Sequence, residues 1–240
     1  MAAPTYIGAG TGLALTTGTG TVSKTSCTAG NLIAIHFRVR GHTEDWGNSN
    51  VVNITSIAGV ANDVTDVVIS EGGVWLGRAT TSATCSMDLT VGASSEDIFA
   101  RIYEFSGVAT SSTLASIIEN DIYTFDSFSG SVSPVDDINV ATNGADRLAL
   151  NFVALNNNQN IPNFTGMTGG TWGELTEFSS ATGLTATLQL QSAAMPSSGV
   201  VGGGSATITD TIWLNYGFAL IPAASGTPGT GSRMMTLGAG

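Results

Sequence analysis

Charge is what this chain has least of. Only 10% of its 240 residues are charged, against the quarter or so usual in soluble domains. One lysine, Lys24, joins six arginines against 18 acidic residues, for a net charge of −11. Affinity for nucleic acid rests on clustered cations that displace phosphate counterions. Beyond Arg38 and Arg40 no such cluster is present, so neither a nucleic-acid partner nor an anionic membrane surface is expected. No apolar run reaches the 18 or more residues of a helical span. Met1-Ala2-Ala3-Pro4-Thr5-Tyr6 lacks the basic and apolar regions of a secretory leader, and the expectation is a protein made in a cytoplasm.

Catalytic chemistry is equally thin. A nucleophilic triad needs a histidine base, and only His36 and His42 are present. His36 falls inside an alternating strand pattern and reads as a satisfied interior residue. No G-x-S-x-G elbow occurs. The best metal-ligand cluster is the loop His42-Thr43-Glu44-Asp45, which also has the composition of an exposed polar loop. Asp63, Asp66, Asp136 and Asp137 read as turn residues. A glycosidase pair needs two carboxylates across a cleft; Glu44, Asp45, Glu71, Glu174 and Glu177 are available, with nothing in the spacing to select two of them. The glycines of Gly8-Ala9-Gly10-Thr11-Gly12 and Gly202-Gly203-Gly204 precede no helix or phosphate-binding lysine, so they read as places of close backbone approach. Neither a cofactor nor a metal is expected, and the chain reads as non-enzymatic. Cys27 and Cys85, 58 positions apart, form no C-x-x-C motif. They are read either as two buried thiols or as a disulfide formed late.

What is abundant is β structure. Hydrophobic residues make up 42% of the chain and glycine 31 positions. Period-two alternation bounded by Gly, Asn, Asp and Ser recurs throughout. It predicts strands over 13–17, 20–27, 31–40, 51–59, 63–70, 73–80, 83–91 and 97–106. A second set follows over 121–128, 135–142, 147–155, 163–168, 171–178, 183–192 and 206–221. In 97–106, Phe99, Arg101, Tyr103 and Phe105 share one face and Ile98, Ala100 and Ile102 the other, which predicts a central strand buried on both sides. Ile208, Ile212, Leu214, Tyr216, Phe218 and Leu220, mixed around Trp213, predict its counterpart.

The two sets resemble one another. Asn31-Leu32-Ile33-Ala34-Ile35-His36-Phe37 is echoed by Asp146-Arg147-Leu148-Ala149-Leu150-Asn151-Phe152. Ser86 to Val91 is matched to Thr187 to Gln191, and Ile98 to Phe105 to Thr211 to Phe218. The expectation is a single doubled β-sandwich over 1–222, jelly-roll-like, with pseudo-repeats at about 13–107 and 121–221. Its halves are joined by a turn or short helix in 108–120 and complete a shared core. From 223 to 240 the composition turns to Gly, Ser and Thr and predicts a flexible C-terminal arm. Its few large side chains, Arg233, Met234, Met235 and Leu237, are candidates to dock on an adjacent subunit. Trp46 reads as the most exposed of the four tryptophans and is the candidate interface anchor or sugar-stacking ring, while Trp75, Trp172 and Trp213 read as core.

Ala29-Gly30-Asn31-Leu32-Ile33-Ala34, followed later by Tyr103-Glu104-Phe105-Ser106-Gly107-Val108, with Gly169-Gly170-Thr171-Trp172 in the second half, resembles β-sandwich proteins of bacteriophage structural modules and bacterial surfaces. The resemblance covers most of residues 20–221. It implies a virion structural protein, a capsid decoration, cementing or minor capsid component contacting the major capsid protein and sister copies as an oligomer. The alternative it implies is a carbohydrate- or receptor-binding module of a phage tail or cell surface. No catalytic residue is implied.

Overall fold

The computed structural model of the protein describes residues 2–40, 52–61, 67–69, 72–91, 97–110, 113–127, 133–136, 138–155, 159–162, 164–179, 186–208 and 212–224. These residues are all-β, with a single 3-10 turn at Leu114–Ser116 between two sets of strands. The first set is β1 (Thr5–Leu15), β2 (Gly18–Lys24), β3 (Leu32–Arg40), β4 (Val52–Ala58), β5 (Val60–Ala61), β6 (Val67–Ile69), β7 (Gly72–Ala79), β8 (Cys85–Val91) and β9 (Asp97–Ser106). The second is β10 (Ile118–Ser127), β11 (Ser133–Asp136), β12 (Val140–Thr142), β13 (Arg147–Leu155), β14 (Gly173–Ser179), β15 (Thr187–Met195), β16 (Gly199–Val201), β17 (Ser205–Ile208) and β18 (Ile212–Leu220).

Each set divides into a large and a small antiparallel sheet. In the first, β1-β9-β3-β7 run side by side, with β5 and β6 on the outer edge of β7, and β2-β8-β4 form the small sheet. In the second, the large sheet is β10-β18-β13-β15-β14. The small layer is two separate two-stranded ladders, β12 with β16 and β11 with β17, flanked by bridges from Thr165 to Ser205 and from Thr168 to Gly202. In both sets the first strand pairs with the last and the second with the penultimate; the last pairs next with the third strand in the first set and with the fourth in the second, a jelly-roll-like order.

The two sets thus share these outer pairings and not the whole strand order, and the residue-level echo read from sequence does not follow. Ile33, Ile35 and Phe37 face the small sheet of their own half, whereas Leu150 and Phe152, matched to Ile35 and Phe37, face the other half. A one-residue slip turns every side chain to the opposite face of a strand. The match of Ser86–Val91 to Thr187–Gln191 also fails, because β8 lies in a small sheet and β15 in a large one. Tyr103 and Phe105 do share a face with their matches Tyr216 and Phe218.

Burial explains the stacking. Each half has a core of its own between its two sheets, built around Ile35, Trp75, Met87 and Ile102 in the first and Val140, Val153, Trp172 and Met195 in the second. What each half cannot cover is the outer face of its large sheet. Leu32, Leu76, Tyr103 and Phe105 meet Leu150, Phe152, Tyr216 and Phe218 across a third core, continued by Phe99 against Leu188 and Leu214. β3, β9, β13 and β18 are accordingly buried on both faces, as the pattern of 97–106 predicts. Phe152 is the hub, 5.6 Å from Phe218, 6.0 Å from Tyr103 and 5.3 Å from His36, centroid to centroid. Such ring pairs add about 0.5–1.5 kcal/mol each beyond the burial of their area.

Several boundaries differ from the sequence reading for identifiable reasons. β1 begins at Thr5, eight residues before the pattern does, because its glycines carry no hydrophobic signal. Residues 206–221 hold β17 and β18 and not one strand, and 163–168 contributes only the two isolated bridges. The glycines of β1 permit close approach. A Cβ on Gly10 would stand 2.1 Å from the Ser23 carbonyl oxygen and 2.8 Å from Lys24 Cα, so the absent side chain lets β1 cross β2. Because both neighbours are backbone, Gly10→Ala is expected to cost about 3 kcal/mol in urea denaturation. Gly173→Ala, where the nearest atom is 3.8 Å away, should change the same midpoint by no more than about 0.5 kcal/mol.

Candidate functional site

Polar groups buried inside an all-β slab are the first places to look for chemistry, because each costs free energy unless it is bonded. Three constellations stand out among the described residues. The first closes the end of the first jelly roll. Glu104 lies on the face of β9 turned toward β2, fully buried, with Lys24 Nζ 2.8 Å from its Oε2. Its Oε1 accepts from the Thr28 backbone N–H and the Asn31 side-chain amide, each at 2.8 Å. Burial alone would raise this carboxyl; the Lys24 ammonium and the two amide donors outweigh it and hold the group below its ordinary range. Glu104 is thus a fixed anion that pins the turn at residues 28–31, and a carboxylate so held is no proton donor near neutral pH. Beneath the same turn the Cys27 and Cys85 thiols are both buried in one cluster, donating to the Lys24 and Gly59 carbonyls.

The second constellation lies between the two large sheets. His36 is completely buried, opposite Arg101 in the β3–β9 register and edge-on to Phe152. The sequence reading of a satisfied interior histidine is corrected here. The residue is interior, but neither ring nitrogen has a hydrogen-bond partner. Burial first, and the Arg38 charge second, push its pKa down to about 3, so the imidazole is neutral across the physiological range. Arg101 itself turns to the edge of the sheet, where it donates to the Glu177 carbonyl and lies 5.9 Å from the Phe178 ring centroid. Phe178 packs where a Cβ on Gly12 would be, so β14 of one half is fastened over β1 and β9 of the other.

The third is a polar seam inside the second jelly roll. Asn151 donates to Gln191 at 3.1 Å, Gln191 to Gln189 at 2.6 Å, and Gln189 to the Ile161 carbonyl at 3.2 Å and to Glu177 Oε2 at 3.4 Å. Glu177 also accepts from the Ile161 N–H at 3.2 Å. The run of amides ends on a carboxylate already committed to backbone. Glu174, another of the five carboxylates available for a glycosidase pair, stands exposed on the same strand β14, so these two do not flank a cleft.

Two shallow surface grooves accompany these clusters. One, of about 450 Å³, runs between Ile7–Thr11 of β1 and Ser23–Ser26, with Lys24 in its wall; the other, of about 400 Å³, is lined by Leu114, Ala115, Ile118, Glu119 and Asn120. Glu119 pairs with Arg147. Among the described residues no three of His, Cys, Asp and Glu converge.

The residues singled out from sequence for contact with a partner, Trp46, Arg233, Met234, Met235 and Leu237, lie outside the described residues, as do His42–Asp45, Asp63, Asp66, Glu71 and Asp137. Trp75 and Trp172 are core, each 2% exposed. Glu104 and the amide seam were not picked out from sequence. Glu104 sits in a face otherwise composed of Ile and Ala, and that interruption was the available signal. No protein-family model, curated protein or solved structure matches the chain.

Two measurements follow from the buried charges. The unfolded His36 titrates near 6.5 and the folded one near 3, so its stabilising effect is whole above about pH 6.5 and is lost as pH falls toward 3. Replacing it with an apolar residue, His36→Leu, should reduce the stability difference between pH 7 and pH 4 by about 3 kcal/mol in urea titrations. Lys24→Met strips Glu104 of its counter-ion and should cost about 3 kcal/mol at pH 7. The loss should be smaller at pH 4, where the carboxyl can take up a proton.

Proposed function

We propose that this protein acts by being placed: a non-enzymatic virion structural component, a capsid decoration, cementing or minor capsid protein that binds capsid subunits and sister copies. The observation that supports this reading most is the back-to-back stacking of the two jelly rolls. It commits the largest apolar faces to each other and turns both small sheets outward, giving a slab with contact surfaces on opposite sides. The outer face of the first small sheet is made of short polar side chains. Thr19 meets Thr90 at 2.7 Å and Thr21 donates to Asp88 at 2.5 Å. Short hydroxyl side chains have little rotamer freedom to lose when a partner covers them. The buried ionisable groups support the reading too: Lys24, Glu104 and Glu177 spend their bonding capacity inside the fold.

On this reading the arm at 223–240, with Arg233, Met234, Met235 and Leu237, reaches a neighbouring subunit while the slab provides the rigid platform. The test is sedimentation of particles on a density gradient, with the chain quantified by mass spectrometry in each fraction. The expected result is co-sedimentation with the major capsid protein at a fixed, high copy number. A chain lacking residues 224–240 should keep the melting temperature of the full chain and lose incorporation. Recovery of the full chain only in unassembled fractions would overturn the proposal, and unchanged incorporation of the shortened chain would remove the arm from it.

A further inference from the structure

We infer that Cys27 and Cys85 form a cross-linking site, which folds with both thiols reduced and closes a disulfide when the protein meets a low-molecular-weight disulfide such as oxidised glutathione. The placement is already made by the backbone. Lys24 is the register partner of Cys85 in the β2–β8 ladder, and the Cys27 N–H donates to the Ala83 carbonyl at 2.8 Å. The two cysteine-bearing segments therefore run side by side, as bridging requires. Both thiols lie in one buried cluster, and each donates to a carbonyl, Cys27 to Lys24 O at 3.2 Å and Cys85 to Gly59 O at 3.3 Å. Two thiols on adjoining segments of one core are more than either cysteine alone: the β2–β8 ladder and the Cys27–Ala83 hydrogen bond already hold the two segments side by side.

Access is decided by what covers them. Cys27 is 2% exposed and Cys85 is fully buried, but both lie immediately beneath short exposed segments, Thr25–Ser26, Thr28–Gly30 and Ser82–Thr84. Local opening of such turns requires far less than unfolding a jelly roll. In the closed state burial pushes the Cys85 thiol up to about 12, with the neighbouring Cys27 adding to it, so the thiolate that attacks a disulfide forms on opening. One thiolate then attacks oxidised glutathione, releasing one glutathione and leaving a mixed disulfide. The second cysteine displaces the other glutathione. Two protons and two electrons pass from the protein to the reagent, which leaves as two thiols. The new bond fastens the β2–β3 turn to the start of β8 and closes a loop of 58 positions, cross-linking the end of the first jelly roll once the chain is in oxidising surroundings. The inference does not depend on a virion role.

The test is incubation of the reduced full chain with oxidised glutathione a few degrees below its melting temperature, followed by intact and peptide mass spectrometry without reduction. The expected product is a monomer lighter by two hydrogens, with the Cys27 and Cys85 peptides joined and a melting temperature raised by about 5–10 °C. Cys27→Ser and Cys85→Ser should each take up one glutathione and gain no stability. Free thiols in urea after treatment, a wild-type chain carrying two stable glutathiones, or a cross-linked dimer would overturn the inference. Those readouts on the wild-type chain stand even if a serine variant fails to fold.

Discussion

The outer face of each large sheet is apolar, and neither jelly roll has a layer of its own to cover it. That constraint fixes the rest of the molecule. The small sheet of each half covers one face of the large sheet, and the opposite face, carrying Leu32, Leu76, Tyr103 and Phe105 in one half and Leu150, Phe152, Tyr216 and Phe218 in the other, must find cover elsewhere. At roughly 25 cal/mol per Å² of apolar surface removed from water, a face of this size is too costly to leave wet, and the stacking of one large sheet on the other removes both at once. The result is four layers with three cores between them.

Stacking also decides where polar groups can go. At the edges of the shared core, Arg101 reaches the Glu177 carbonyl and the Phe178 ring, and Arg78 donates to the carbonyls of Gly30 and Ala109, the latter in the connector between halves. These guanidinium groups bond backbone oxygens that the seam would otherwise strand. His36 has no such outlet, and its neutrality is the form in which the core accepts it. Inside the second jelly roll the amides of Asn151, Gln189 and Gln191 bond one another in series, which is the condition under which a buried polar run is tolerated. The charged and amide groups described here are occupied with holding layers together, and a role carried by surface and shape is consistent with that.

Much of this architecture was legible in the chain. Alternation in 97–106 places Phe99, Tyr103 and Phe105 opposite Ile98, Ala100 and Ile102, and a strand apolar on both faces has to be central. The likeness of the two halves read from the sequence does not hold in register, because hydrophobic alternation repeats every two residues and a best match by residue type can slip by one, as it does between Ile35 and Leu150. β1 was shortened for a different reason. Its Gly8, Gly10 and Gly12 are there for what they omit, and a missing side chain leaves no periodic signal. The contact candidates drawn from sequence, Trp46 and the large side chains of the arm, rest on composition alone, since the described residues do not include them. The pairing of Glu104 with Lys24 joins residues 80 positions apart, brought into reach by the packing of the small sheet, which holds β2, on the large one, which holds β9.

The central claim is that the aromatic core between the large sheets makes two jelly rolls into one cooperative body. Differential scanning calorimetry of the full, reduced chain tests it most directly. The account predicts a single transition whose calorimetric and van't Hoff enthalpies agree. Two resolved transitions, each carrying about half of the total enthalpy, would contradict it, since the halves would then be stable without the face they share.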